Sequence, residues 1–181
     1  MTRLHAPAVL SIDNNMKKIP LDAVDIRILS ALQQHGQISK IHLSELVNLS
    51  PTPCWLRLTR LKNAGLIKGY RGLVAVEKVF DLTTVLVTVA LKEHRKSDFD
   101  LFEKRIQSIE EIVECYTIGG GTDYVLKVVT FSLLDFQALI SQLLDEEIGI
   151  DRYYVYVLVR DVKSTPLTMS QLLKMKNRSE Q

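Results

Sequence analysis

The hydrophobic period of this chain changes once, across residues 75–83, and that change limits what it can fold into. Up to Gly65 the apolar side chains recur at helical spacing. From Thr84 they come in short β-rich runs interleaved with helical stretches. A stripe repeating about every 3.6 residues and an alternation repeating about every 2 belong to different elements. With 181 residues and 46% hydrophobic content, the chain can fill two small cores. The expected layout is a flexible tail over 1–20, a helical domain over 21–74, a linker over 75–82, a mixed domain over 83–165 and a C-terminal tail over 166–181. Met16, followed by Lys17-Lys18, is an alternative start.

The first half is organised around Ser50-Pro-Thr-Pro-Cys-Trp-Leu-Arg-Leu-Thr-Arg-Leu-Lys-Asn-Ala-Gly65. Ser50 suits an N-cap. Pro51 and Pro53 fall in the first turn, where N–H groups lack helical partners anyway, and Gly65 suits the left-handed residue that ends a helix. Cys54, Leu58 and Leu61 share one apolar stripe; Thr52, Leu56, Thr59, Arg60 and Asn63 lie opposite, with Trp55 and Arg57 on the flanks. An earlier helix over Leu21–Gln34 has Asp22 as its cap and Asp25 near its positive end; His35-Gly36 stops it. A second runs from about Lys40 to Val47 behind Ser39, and Asn48-Leu49-Ser50 turns straight into the third. Two helices joined so tightly, the second basic and outward-facing, make a helix-turn-helix. Gly65–Val74 alternates and breaks at glycines, which predicts a short strand or wing.

In the second half, strands are expected over Thr84–Lys92, Ile112–Ile118, Tyr124–Thr130 and Tyr153–Val159, and helices over Asp98–Ile109 and Leu133–Leu144. The order β-α-β-β-α-β is the ferredoxin-like pattern. The fold class is therefore α+β: an N-terminal winged helix-turn-helix domain plus a C-terminal ferredoxin-like βαββαβ domain. Residues 163–181 run through Pro166 to a basic, polar end, with a helical turn or more over Met169–Met175.

Charge divides along the same line. Residues 40–71 carry six Lys/Arg against one acid; residues 83–160 carry eight against thirteen. A polyanion-binding half is expected beside an acidic half with another task; the alternative is a solvated gradient without a partner. Cys54 and Cys115 form no C-x-x-C pair and fit a reducing compartment and packing roles. The longest mostly apolar run, Val85–Leu91, is far short of a membrane span, and residues 1–15 lack a signal-peptide core. A cytoplasmic protein without a membrane partner is expected.

A helix of this type can enter the major groove of double-stranded DNA with its N-terminal side chains at the base edges. The candidate contacts are Ser50, Thr52, Pro53, Leu56, Arg57, Thr59 and Arg60, with Lys68 and Arg71 on phosphates. Arginine matches guanine and phosphate through its planar fork; the alternative for Arg57 and Arg60 is a surface position or an ion pair within the domain. Trp55 is expected to brace the helix against its neighbours, the alternative being a contact with the DNA backbone. Gly119, Gly120 and Gly121 can form an anion-binding nest or simply a hairpin loop that needs positive φ. His5, His35, His42 and His94 have no metal-ligand spacing, and no catalytic constellation or phosphate-binding Walker loop is present. Neither an enzymatic activity nor a cofactor is expected.

Over roughly residues 20–165 the chain resembles the Lrp/AsnC, or feast/famine, family of transcriptional regulators. The resemblance is carried by Leu21-Asp22-x-x-Asp25-x-x-Ile28-Leu29, Leu49-Ser50-Pro51-Thr52-Pro53-Cys54, Arg57-x-x-Arg60-Leu61 and Gly65-x-Ile67-x-Gly69-Tyr70, then by Glu114-Cys115-Tyr116 and Asp123-Tyr124-x-Leu126-Lys127 around the glycine loop. It implies a sequence-specific regulator whose second domain dimerises, assembles further into tetramers or octamers, and senses a small molecule such as an amino acid. It also implies an effector site around Gly119, Gly120, Gly121, Thr122, Asp123 and Tyr124. In the family the loop usually reads Gly-Asp-x-Asp-Tyr; here Gly121 stands where a carboxylate meets the effector's ammonium group. Some decarboxylases of haem biosynthesis share the two-domain plan. Their site would need histidine and arginine for a tetrapyrrole, whereas this domain offers His94 alone and dispersed Arg95, Arg105, Arg152 and Arg160. The remaining alternative is an effector-independent architectural protein that wraps or bridges DNA.

Overall fold

A computed structural model describes residues 19–179; the expected start at Met1 or Met16 and most of the expected 1–20 tail lie outside them. The described chain forms two compact units. One holds the residues up to Val74 together with those from Lys163 onward, and the other holds Ala75–Val162.

In the first unit, α1 (Ala23–His35) opens with a reciprocal capping box. The Asp22 carboxylate accepts from the Asp25 N–H at 2.8 Å, and the Asp25 carboxylate accepts from the Asp22 N–H at 3.1 Å. Gly36, at φ 69°, ends the helix. Helix α2 (Lys40–Leu46) is capped by Ser39, whose hydroxyl accepts from the His42 N–H. Asn48 takes the left-handed conformation in the turn, at φ 61°. Helix α3 (Pro51–Asn63) starts after Ser50 as expected, but the Ser50 side chain makes no cap bond. A cap oxygen normally serves the second or third N–H of the helix, and the third residue here is Pro53, which has none. Ile28, Leu29, Leu32, Leu43, Val47, Cys54, Leu58 and Leu61 form the core, so the apolar stripe of α3 packs as its spacing predicts.

Two expectations are corrected in this unit. The wing segment after Gly65 forms no paired strand; Ile67 and Tyr70 lean on the core while Leu73 is fully exposed. The helical turn or more expected over Met169–Met175 in the C-terminal tail is a longer helix, given its label below, over Met169–Ser179, and it packs against α1.

The second unit follows the expected order: β1 (Thr83–Leu91), α4 (Lys96–Ile106), β2 (Ile112–Thr117), β3 (Tyr124–Thr130), α5 (Leu133–Asp145) and β4 (Ile150–Val157); α6 is then Met169–Ser179. The four strands make one antiparallel sheet in the order β2-β3-β1-β4. Val85, Val87, Val89, Tyr124, Leu126 and Val128 point to the helix-covered face and pack with Phe102, Ile106, Phe136, Ile140 and Leu143 of α4 and α5. The other face carries Leu86, Thr88, Val125 and Val129 with Tyr154 and Tyr156 of β4. The expected linker over 75–82 belongs to this unit: it contains one 3₁₀ turn, Val76–Lys78, and seats the Phe80 ring 5.9 Å from Phe131. Among the described residues no helix is long and apolar enough to cross a membrane.

Candidate nucleic-acid interface and effector loop

The proline-started end of α3 is exposed. Ser50, Thr52, Pro53 and Leu56 all face solvent, with Leu56 64% exposed. An apolar side chain so placed, with no partner in its own unit, is available for contact with a thymine methyl group. Trp55 is braced, as expected, by a residue the sequence did not flag: the Lys40 Nζ sits 3.5 Å from its ring centroid. The Lys62 Nζ lies 6.0 Å from the same ring and 5.5 Å from that of Tyr70. One cation from α2 and one from α3 thus share the Trp55 ring as a support. Lys68 and Arg71 are exposed on the wing segment.

Arg57 and Arg60 are engaged within the domain. The Arg57 Nη1 donates to the Asp22 carboxylate and, at 3.0 Å, to Asp25 Oδ1; the Arg60 Nη2 donates to Asp25 Oδ2. Asp25 is only 1% exposed, whereas the arginine side chains keep 34% and 56% of their surface. The capping box of α1 is therefore also the anchor of α3. The N–H of Asp25, then the guanidinium of Arg57, hold the Asp22 carboxyl down to about 2. The same two carboxylates push the Arg57 guanidinium further up. Thr59, expected on the outward face, is half-buried, and its hydroxyl oxygen is sealed from solvent without a hydrogen bond. A signal for the anchor does exist in the sequence: acids at i and i+3 in one helix match arginines at i and i+3 in another.

The loop expected to hold an effector is split by the structure. Gly119, Gly120 and Gly121 are exposed at the hairpin tip, and Gly120 takes φ 134°, a conformation side chains resist. Arg152 on β4 donates to the Gly121 carbonyl at 3.0 Å. Asp123 is committed elsewhere: its Oδ2 accepts from the Leu91 N–H at 2.8 Å, and its Oδ1 lies 3.1 Å from the His94 Nε2. The Leu91 N–H is open to it because β1 runs two residues past its last pair with β3, Val89 opposite Tyr124. Tyr124 turns into the core, 1% exposed, with its ring centroid 4.6 Å from that of Phe102 and its hydroxyl donating to Glu103. Burial, then the Glu103 bond, pushes its phenol up. Thr122 is half-buried beside the glycines. No group of metal-ligating side chains is present among the described residues.

Comparison with known proteins agrees with this division. Residues 21–68 match the family model for a winged helix-turn-helix DNA-binding domain, and residues 84–168 match that for the Lrp/AsnC ligand-binding domain. The chain is 37% identical over 150 residues to the transcriptional regulatory protein DoeX of Halomonas elongata, covering 83% of this chain and 95% of that protein. It is 39% identical to the leucine-responsive regulatory protein of Haemophilus influenzae, covering 80% and 87%. A transcriptional regulator from Neisseria meningitidis, solved as a complex with L-methionine, superposes with a TM-score of 0.77 at 28% identity, covering 84% of this chain and 99% of the other. Escherichia coli AsnC shares the fold with a TM-score of 0.73 at 21% identity, covering 82% and 99%. With both domains matched and relatives above 30% identity covering most of its length, this chain belongs to the Lrp/AsnC family of DNA-binding transcriptional regulators, which are not enzymes.

Proposed function

We propose that the protein binds a specific duplex sequence as a homodimer, reads bases with the N-terminal end of α3, and responds to a small effector that carries little positive charge. The observation that carries the DNA reading is the exposed Thr52, Pro53 and Leu56 end of a helix whose own arginines anchor it to a buried carboxylate. Base discrimination then rests on Thr52 and Leu56, with Arg60 adding a contact through its exposed edge. Arg57 positions the helix, and Lys40, Lys62, Lys68 and Arg71 meet phosphates. The test begins with selection of binding sequences from a random duplex pool, followed by titration at several salt concentrations. A defined consensus is expected, with a log–log salt slope near 0.9 per phosphate contact. Leu56→Ala should relax preference at one position by about 1 kcal/mol or more, while Lys68→Ala should lower the slope by about one contact without changing the consensus. A pool that stays random after selection would support the architectural alternative.

The effector reading is supported by the matched ligand-binding domain and by the structural neighbour solved with L-methionine. Both acidic partners that would hold an ammonium group are missing here: Gly121 has no side chain, and Asp123 serves Leu91 and His94. Weak amino-acid binding is therefore expected. Gly121 has no positive φ, and a Cβ built on it meets nothing within 4 Å, so an acid fits there. Gly121→Asp is expected to tighten binding of a zwitterionic amino acid by about tenfold or more, the worth of one charge-assisted contact. Calorimetric titration of both proteins with a panel of amino acids and organic acids checks this. Micromolar amino-acid binding by the wild type, abolished in Gly121→Asp, would sink it.

A further inference from the structure

We propose that α6 docks into a groove on the DNA-binding unit as a second covalent connection between the two units, and that this connection fixes the half-site spacing the protein accepts. The spacing half of the proposal rests on the homodimer reading above.

The groove lies between α1 and residues 66–70. It is a cleft of about 300 Å³ walled by Leu21, Leu29, Leu32, Leu66, Ile67 and Tyr70, and Met169 packs into it. The backbone on either side of Thr168 is held by one side chain. The Gln33 Oε1 accepts from the Met169 N–H at 2.8 Å, and the Gln33 Nε2 donates to the Leu167 carbonyl at 3.3 Å. An amide used at both ends in this way grips a peptide as a neighbouring strand would. The helix starts at the gripped residue. The Thr168 hydroxyl accepts from the Gln171 N–H at 3.2 Å, and the Gln171 Oε1 accepts from the Thr168 N–H at 2.9 Å, a reciprocal capping box.

Alone, a helix of 11 residues is marginal in water. Docking on α1 therefore both orders α6 and attaches it. Part of the cleft stays unfilled and Leu172 and Met175 remain exposed, so the attachment is modest and reversible. α6 also begins after residue 168, where the match to the ligand-binding family model ends. Among the described residues the chain passes between its units twice, after Val74 and after Val162. A single passage leaves a DNA-binding unit free to reorient. A second, seated on α1, narrows the orientations available and hence the separations that two such units can span.

Three full-length proteins test this: wild type, Gln33→Ala and Met169→Asp, with a fourth chain ending after Thr165. Hydrogen exchange of α1 and residues 66–70 reports docking. Binding to a single selected half-site reports the integrity of the DNA-binding unit. Binding to paired half-sites at the selected spacing, and at a spacing longer by about five base pairs, reports the tether. Exchange in α1 should rise at least about tenfold in the variants. Single half-site affinity should stay within about twofold of wild type, while the preference for the selected spacing falls by about tenfold or more. Unchanged exchange would overturn the docking, and unchanged spacing preference would overturn the tether. A parallel loss of single half-site affinity and salt slope would make α6, with Lys174 and Arg178, a phosphate contact instead. A wild type that binds no half-site at all would count against the DNA reading itself.

Discussion

Asp25→Asn is expected to lower the melting temperature of the DNA-binding unit by roughly 15 °C. The side chain is 1% exposed and accepts from Arg57, from Arg60 and from the Asp22 N–H. Breaking a buried pair by removing one partner costs about 3–5 kcal/mol. The low end applies here, because both guanidinium groups reach water and can rehydrate. About 3 kcal/mol is still a large share of a stability of roughly 5–15 kcal/mol. Asparagine keeps the shape and one acceptor, but its amide group would donate toward guanidinium donors. Asp22→Asn should leave stability near neutral pH almost unchanged, since its exposed pair with Arg57 is screened by solvent. Its signature lies in acid. The Asp22 carboxyl titrates near 2 folded against 3.8 unfolded, so its contribution is full above about pH 4 and fades as pH falls through 2. Calorimetry of the full chain at pH 7, then across pH 4 to 2, measures both. An Asp25→Asn protein melting within about 2 °C of wild type would mean that the anchor carries no weight.

The residues whose placement was legible are those fixed by local physics. The Asp22 and Ser39 caps, the Gly36 and Gly65 stops and the stripe of Cys54, Leu58 and Leu61 all follow from spacing and backbone chemistry. Strand β3 spans the expected residues because both its faces alternate cleanly. Strand β4 begins at Ile150, earlier than expected, because Asp151 and Arg152 interrupt the apolar pattern on an edge strand where both are exposed. Helix α4 begins at Lys96, two residues early, because the Arg95 N–H is capped by the Asp98 carboxylate rather than Asp98 being capped itself.

The contacts that sequence alone left open belong to long or bifunctional side chains. A helical wheel directs the Cβ of Arg60 outward, but a guanidinium several bonds further on can curl back to a carboxylate 35 residues away in sequence. Asp123 looks like a spare acid until β1, running past the start of β3, presents the Leu91 N–H that needs an acceptor. Helix α6 carried a readable start signal in Thr168-x-x-Gln171. Its polar, basic composition nevertheless resembles a tail, and the groove that orders it is built by α1 and residues 66–70, far away in sequence.

The second large effect is expected at the sheet. Tyr154→Glu together with Tyr156→Glu should convert the proposed homodimer to a monomer and weaken binding to paired half-sites by about a hundredfold or more. Tyr154 and Tyr156 pair across the ladder with Thr88 and Leu86, on the face the two helices leave open, and are 53% and 55% exposed. Tyr116 on β2 lies on the same face opposite Val125, and is also exposed. On the helix side of β4, Val155 and Val157 are exposed as well, although they pair with the buried Val87 and Val85. An edge strand bare on both faces and rich in tyrosine and valine is the type of surface a soluble protein covers. In the proposed homodimer a second copy related by a two-fold axis would cover it self-complementarily, since the same patch would serve both partners. Two glutamates would have to be buried without partners at that contact, which opposes association strongly. Dimerisation also converts the second half-site contact into an intramolecular event, so its loss removes far more affinity than any single DNA contact. Light scattering at micromolar concentration reads the oligomer, and titration of single and paired half-sites reads the consequence. Single half-site binding should be unchanged, because the substitutions lie outside the unit that carries α3. A wild type that is monomeric on its paired site, or a double variant that stays dimeric, would show that the open sheet face serves another purpose.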